Sequence, residues 1–249
     1  MIFTLNEEIH LPSCLDALGW CDDVIVVDSY STDRTEAICR ARGARFFQNR
    51  FEGFGSQRNW ALDNAQPRHP WVLILDADER VTPELAAAIR ALFAGGAPAA
   101  SASAFPRRNR FLGRWLAHGE GYPDWSLRLF DRRHARWSDD PVHEKVVADG
   151  PVIRLRGDLL HASAESIDNY IAKQNRYTTV QAAAMHARGE RAGAAQLVLS
   201  PVVRFLRFYL LRLGFLDGAA GFAHIAIGAY ASFLKYAKLR ALNNEGRAG

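Results

Sequence analysis

Trp71-Val72-Leu73-Ile74-Leu75-Asp76-Ala77-Asp78-Glu79 decides how this chain is read. Its apolar run follows Pro70 and stops abruptly at a cluster of acids, the pattern of a buried strand with a polar end. A strand of that kind carries Asp76 and Asp78, separated by Ala77, to its tip. Carboxylate oxygens are hard ligands suited to Mg²⁺ or Mn²⁺, and a cation there can hold a diphosphate. An Asp-x-Asp is also an ordinary way to end a strand in a turn, so its meaning depends on the flanking chain.

Two stretches upstream have the same form: Ile2-Phe3-Thr4-Leu5-Asn6-Glu7-Glu8 and Val24-Ile25-Val26-Val27-Asp28-Ser29-Tyr30-Ser31-Thr32-Asp33-Arg34-Thr35. Each is an apolar, β-branched run that ends in polar residues and leads into helical spacing. Ile9, Leu11, Leu15 and Leu18 mark one helix. Thr35, Ala37, Ile38 and Ala41 mark the next, with Gly43 as its C-terminal stop. Phe46-Phe47 reads as a short strand. Alternating strands and helices imply a parallel, doubly wound α/β sheet, with ligands at the carboxyl ends of its strands. Thr4 to Glu7, Asp28 to Ser31 and Asp76 to Asp78 are therefore expected around one crevice. Asp28 is placed either to accept a hydrogen bond from a pyrimidine N–H or to cap the helix after it, although Asp33 is the better cap. Glu7 fits the crevice and the first helix equally well. Arg58 follows a Gly-rich loop at 51–57 and opens a helix through Trp60, Ala61 and Leu62. It suits a uracil or diphosphate contact, or else is an exposed first-turn arginine.

In order along the chain, Asn6-Glu7, the Asp28–Thr35 turn, Arg58-Asn59 and Asp76-Ala77-Asp78 resemble the motifs of family 2 glycosyltransferases with the GT-A fold. The resemblance covers about residues 1–160, and four motifs in order are far more specific than any one. The family's first strand has more apolar residues than precede Ile2 here, so the chain is expected to start inside that strand. The resemblance implies a GT-A, Rossmann-like α/β fold: a mainly parallel central sheet with helices on both faces, plus a C-terminal amphipathic helical extension. The catalytic domain is expected at 1–163, with its nucleotide-sugar half at about 1–100 and its acceptor half at about 101–163. By the same resemblance Thr4, Asn6, Glu7, Asp28, Arg58, Asp76 and Ala77 bind the nucleotide sugar. Asp76 and Asp78 hold Mg²⁺ or Mn²⁺, with His161 as a further ligand or as a hydrogen-bonded structural residue.

Residues 105–130 are rich in Arg, Trp and Gly. Aromatic faces with flanking arginines suit sugar stacking and phosphate pairing, which makes Arg107, Trp125 and Arg128 candidates for acceptor or diphosphate contacts. Any one of the aromatics serves equally well as packing under the sheet. The segment Trp137-Ser138-Asp139-Asp140-Pro141-Val142-His143-Glu144-Lys145-Val146 falls where the fold carries its general base, and a subset of the family has the same His-Glu pair. Inverting transfer needs a carboxylate to take the acceptor hydroxyl proton. Glu144 is the first choice and Asp140 the second, with His143 orienting the base or approaching the metal.

Composition supports an intracellular enzyme. The chain has 249 residues, 49% of them hydrophobic, a net charge of +4 and three cysteines without metal-ligand spacing. Reduced, packed thiols are the expectation. Residues 1–8 lack the form of a secretory signal, and no nucleic-acid module is recognisable.

After about residue 163 the character changes, and 164–249 reads as a helical, membrane-associating extension. Ser166 to Arg188 has helical spacing. Residues 197–240 are strongly apolar with six Lys/Arg and one acid, Asp217. No span has the roughly 20 uninterrupted apolar residues of a transmembrane helix. In 202–213 the arginines 204, 207 and 212 fall on one arc opposite Phe205, Leu206, Tyr209 and Leu213. A basic amphipathic hairpin suits an anionic membrane surface, or else packs on the catalytic domain or a second subunit. A cytoplasmic enzyme, peripheral on the inner face of the membrane, is expected.

The Gly121-Tyr122-Pro123-Asp124-Trp125, Arg128-Leu129-Phe130 and Pro141–Val146 segments and the Tyr-x-Leu-x-x-Gly-Phe-Leu-Asp-Gly-like stretch at 209–218 resemble bacterial lipopolysaccharide core glycosyltransferases. That subgroup implies β-glucosyl transfer from UDP-glucose to a lipid-linked glycan acceptor. Two other functions are compatible with the sequence: sugar transfer to polyprenyl phosphate, and a silent sugar-nucleotide-binding scaffold.

Overall fold

The computed structural model describes residues 1–138, 144–162 and 166–245. The chain divides into two compact units, one of Met1–Arg108 with Asp124–Ala162, the other of Asn109–Pro123 with Ser163–Gly249. The segment Asn109–Pro123, read from the sequence as part of the acceptor half, groups with the C-terminal helices.

In the first unit β1 (Ile2–Thr4), α1 (Leu11–Asp16), β2 (Ile25–Asp28), α2 (Thr35–Ala41), β3 (Arg45–Gln48) and α3 (Phe54–Asn64) alternate as the hydrophobic pattern requires. They are followed by β4 (Trp71–Leu73), β5 (Leu75–Asp76), β6 (Glu79–Val81), α4 (Pro83–Phe93) and β7 (Ala102–Phe111). A four-stranded parallel sheet runs in the order β3-β2-β1-β5. Every residue of β2 is buried, as expected of a strand covered on both faces. Ile2, Val26 and Leu75 meet Leu11, Leu85 and Ile89 in the main core. The register sets Thr4 beside Asp28 and Phe3 beside Asp76, so the polar strand ends converge at one edge.

The decisive apolar run is not one strand. Trp71–Leu73 pairs antiparallel with β9 (Asp124–Asp131), which follows β8 (Arg114–Trp115), whereas Leu75–Asp76 pairs parallel with β1. The chain changes sheets at Ile74, whose N–H donates to the Arg128 carbonyl at 2.8 Å. On the facing strand the register skips Arg128, with Ser103 opposite Leu129 and Ala104 opposite Leu127. This is a β-bulge, a device that re-aims a side chain beside a site. The remaining strands are β10 (Ala135–Trp137), β11 (Val146–Ala148), β12 (Val152–Arg154) and β13 (Leu159–His161). A second sheet has the order β4-β9-β7-β13-β6, with β12 and β8 also pairing with β7. Its β4–β9, β7–β9 and β13–β6 pairs are antiparallel. The expected parallel sheet is thus joined by a sheet whose long-range pairings leave no local periodic signature.

All three cysteines are free. Burial pushes the Cys14 thiol up to about 12 and the Cys39 thiol up to about 11, so both are inert packing groups.

The second unit contains α5 (Ile167–Ala187), α6 (Ala194–Leu206), a π-turn at Arg207–Leu211, a 3₁₀ turn at Gly214–Asp217 and α7 (Gly218–Glu245). Ser166 caps α5 by accepting from the Asn169 N–H. The stretch 214–218 is structural. A β-carbon on Gly214 would come within 2.2 Å of Ile225 and 2.8 Å of the Phe208 carbonyl, so only glycine fits there. Asp217 is buried and accepts from the N–H groups of Ala117 and His118 at 2.9 and 2.8 Å, fastening the 109–123 segment to the start of α7. The basic arc expected on 202–213 turns inward in part. Arg204 is paired with Glu120, and Arg212 donates to the Tyr122 carbonyl. Phe205 and Tyr209 stack on one another and pack edge-on against Phe222 of α7, so they are not the exposed side.

Candidate active site

Three loops meet at the carboxyl edge of the parallel sheet. Thr4 donates its hydroxyl to Asp28 Oδ1 at 2.9 Å. Asp28 is fully buried and also accepts from the Ser31 N–H and, at 3.3 Å, from the Gln48 amide. Asn6 has a left-handed backbone, φ 55°. Its N–H donates to the Ser31 hydroxyl and its side-chain oxygen accepts from the Thr32 N–H, so it ties the β1 loop to the β2 loop. Asp28 therefore organises its own loop instead of capping α2, and the Thr35 N–H at that helix start is taken by Asp33, as expected. Glu7 bonds the His10 ring at 2.9 Å, and burial raises its carboxyl pKa. Ala77 is buried, with its N–H on the Phe3 carbonyl.

Arg58 is buried rather than an exposed first-turn cation. The Asn59 amide donates to the Trp137 carbonyl and accepts from the Trp137 N–H, locking α3 to β10. That lock puts the Trp137 ring 4.2 Å from the Arg58 guanidinium. Arg58 donates to Asp76 Oδ1 at 2.9 Å, and Arg128 donates to Asp76 Oδ2 at 3.0 Å. Burial alone would raise the Asp76 pKa, but Arg128 and Arg58 outweigh it and hold the carboxyl below the usual range.

Glu79, left without a role in the sequence reading, anchors this cluster. It is completely buried, accepts the Asp76 N–H at 2.9 Å and accepts from Arg128 at 3.1 Å. Arg107 lies 3.7 Å away and is itself bound to Asp124 at 2.7 Å. Burial raises the Glu79 pKa despite Arg128. The usable signal is an acid directly after Asp-x-Asp in a chain with several arginines at 105–130. One Arg128 nitrogen, Nη1, is buried without a partner, a donor that can bind an anion.

The β13–β6 register sets His161 opposite Glu79 and brings its Nε2 to 3.1 Å from Asp78 Oδ2. Burial would raise the Asp78 pKa, but the His161 contact outweighs it and lowers it. Asp78 and His161 thus stand together, whereas the third expected ligand, Asp76, is turned to the arginines. No group of three His, Cys, Asp or Glu residues converges on a common point among the described residues. A carboxylate and an imidazole nevertheless suit Mn²⁺ or Mg²⁺ when diphosphate oxygens complete the coordination.

Glu144 is half-buried, with Oε1 3.9 Å from Arg58 Nη1. A β-carbon on Gly55 would lie 2.8 Å from the Ser138 carbonyl, so glycine lets the α3 start approach this segment. Asp140 and His143 lie outside the described residues. Trp125 is exposed with Arg154 over its ring at 4.5 Å.

Residues 1–148 match the family described as Glycosyl transferase family 2. The chain belongs to that family. It is 31% identical over 245 residues to the lipopolysaccharide core biosynthesis glycosyltransferase LpsC of Rhizobium meliloti, covering 96% of this chain and 90% of the relative. It is 28% identical to an uncharacterized glycosyltransferase of Rickettsia typhi, covering 99% of this chain and 87% of that one. Among solved structures, the mannosyltransferase PcManGT of Pyrobaculum calidifontis, in complex with GDP-Man and Mn²⁺, superposes with a TM-score of 0.50 at 19% identity. That match covers 100% of this chain and 86% of the mannosyltransferase. The likeness shows a shared GT-A fold.

Proposed function

We propose that this family 2 glycosyltransferase is an inverting enzyme that moves a sugar, glucose from UDP-glucose, onto a lipid-linked glycan such as the lipopolysaccharide inner core. The likeness to LpsC over nearly the whole of both chains supports the acceptor class. The observation that carries the donor side is the paired set at one sheet edge: Asp76 between two buried arginines, and Asp78 against His161. In this reading the loops of Thr4, Asn6, Glu7 and Asp28 frame the nucleoside. Arg58 and the Arg128 Nη1 face the diphosphate. Asp78 and His161 hold a divalent cation, which would supply positive charge to the leaving diphosphate. The sugar's anomeric carbon–oxygen bond to the diphosphate breaks as the acceptor oxygen forms its own bond to that carbon. Glu144, an acceptor-only carboxylate near Arg58, takes the hydroxyl proton. In this reading the reaction takes place in the cytoplasm, at the inner face of the membrane.

The test is UDP release from a panel of nucleotide sugars with Mn²⁺, with and without a heptose-containing lipid acceptor. Acceptor-dependent release from UDP-glucose is expected. Donor binding without turnover on any acceptor points to a scaffold. Full activity of Glu144→Gln on polyprenyl phosphate points to a phosphate acceptor, which needs no strong base.

A further inference from the structure

The α6 helix and the π-turn after it form a single 18-residue stretch, Ala194–Leu211, apolar enough and long enough to cross a membrane, with none of it buried. At about 100° per residue, Val198, Val202, Leu206, Leu199 and Val203 of α6 fall within an arc of about 140°. All five are exposed, from 46% at Leu206 to 61% at Val203, and in the π-turn that follows, where the α-helical spacing no longer holds, Leu210 is 50% and Leu211 80% exposed. The opposite side is committed to the protein. Ser200 bonds Ser232 of α7 at 2.7 Å, and Arg204 is paired with Glu120.

These two sides decide how the helix meets lipid. A spanning orientation would take the Arg204–Glu120 pair and the attached α7 into hydrocarbon, at high cost. An in-plane orientation puts only the apolar arc there. Arg207, at the edge of that arc, and Arg212, Lys235 and Arg240 have no acidic partner among the described residues. Lys238 differs, because it is satisfied by Asn175, Thr178 and Thr179. An uncovered apolar stripe with uncompensated cations in the same unit complements an anionic bilayer: acyl chains for the stripe, phosphate headgroups for the cations.

We propose that Ala194–Leu211 lies flat in the interface of an anionic phospholipid bilayer, with Leu199, Val203 and Leu211 entering the acyl region and Arg207 at the headgroups. This refines the expected basic face: the seat is the aliphatic arc, and Arg204 is an internal strut. The inference deepens the lipid-borne acceptor reading but rests on residues outside the donor crevice, so either can fail without the other.

The experiment is co-sedimentation of the full chain with vesicles of phosphatidylcholine and phosphatidylglycerol, alongside the Leu199→Gln/Val203→Gln/Leu211→Gln variant. Wild type is expected on the anionic vesicles. The variant is expected to partition at least about tenfold more weakly, with unchanged UDP-glucose binding and unfolding temperature. Amide hydrogen exchange on the wild type supplies a second reading, slower in peptides from 194–211 once vesicles are added. Wild type that ignores anionic vesicles, a variant that binds them as well as wild type, or a concentration-dependent dimer abolished by the triple substitution would each overturn the proposal.

Discussion

The two units invert the usual partition of residues in opposite ways. The first buries charge: Arg58, Arg128 and Glu79 are all nearly inaccessible around Asp76. The second exposes oil, the aliphatic arc of α6. Charged groups rarely go inside unless paired, and contiguous apolar surface is rarely left outside without a partner. Each departure costs stability locally. In the first unit the groups are satisfied by one another, apart from one Arg128 nitrogen. In the second the stripe is covered by nothing among the described residues. The difference teaches that charge paired inside the chain and an apolar stripe left outside it suit different occupants: a small molecule in the proposed donor crevice, a lipid surface at the proposed membrane contact.

The strongest way to break this contrast is at the tip of the Asp-x-Asp turn. Asp78→Asn removes the carboxylate facing His161 and is expected to lower transfer by about 10³-fold or more, with a circular dichroism spectrum like that of wild type. Near-normal turnover in Mn²⁺-replete buffer would remove Asp78 from the metal reading. Glu144→Gln is expected to lose about 10²–10⁴-fold in turnover while donor affinity stays within a few-fold. Steady-state rates at saturating UDP-glucose decide this.

Glu79→Gln tests whether the buried acid positions the arginines. It keeps an acceptor for the Asp76 N–H but removes the charge facing Arg128 and Arg107. A loss of about tenfold in turnover and about 1–3 kcal/mol in stability is expected, partly rescued by Glu79→Asp. Equal losses in both variants would indicate packing alone.

Asp76→Asn probes the same cluster through pH. Because the two arginines depress the folded-state pKa, the carboxylate's contribution to stability is fully present above the ordinary value of about 3.9. It is lost as pH falls through the lower folded value. The gap in urea midpoint between wild type and Asp76→Asn should therefore be widest at neutral pH and shrink below about pH 4. A gap that grows in acid would contradict the pairing. The smallest effect belongs to the second unit. Arg204→Glu sets two acids together at Glu120 and should cost about 1 kcal/mol, lowering the unfolding temperature while leaving vesicle binding by the α6 arc in place.

The sequence alone determined the strand–helix alternation from Ile2 to Asn64, the span of the helix from Ser166 to Arg188, and the convergence of Thr4, Asp28 and Asp76 on one edge. These follow from periodicity and capping, which act over a few residues, and from the rule that parallel strands present their carboxyl ends together. His161 was reachable only through the family resemblance, although it meets Asp78 in space. Tertiary structure alone decided what each charge faces. Asp76 met arginines 18 and 52 positions away, Glu79 became an anchor, and the 71–75 run split between two sheets at Ile74. It also turned Arg204 inward onto Glu120, 84 positions away, and left the aliphatic arc outward. Charge type and helical arc are local properties of a sequence. Which side of an element is covered depends on strand register and helix packing between segments far apart in the chain, and no local pattern encodes that.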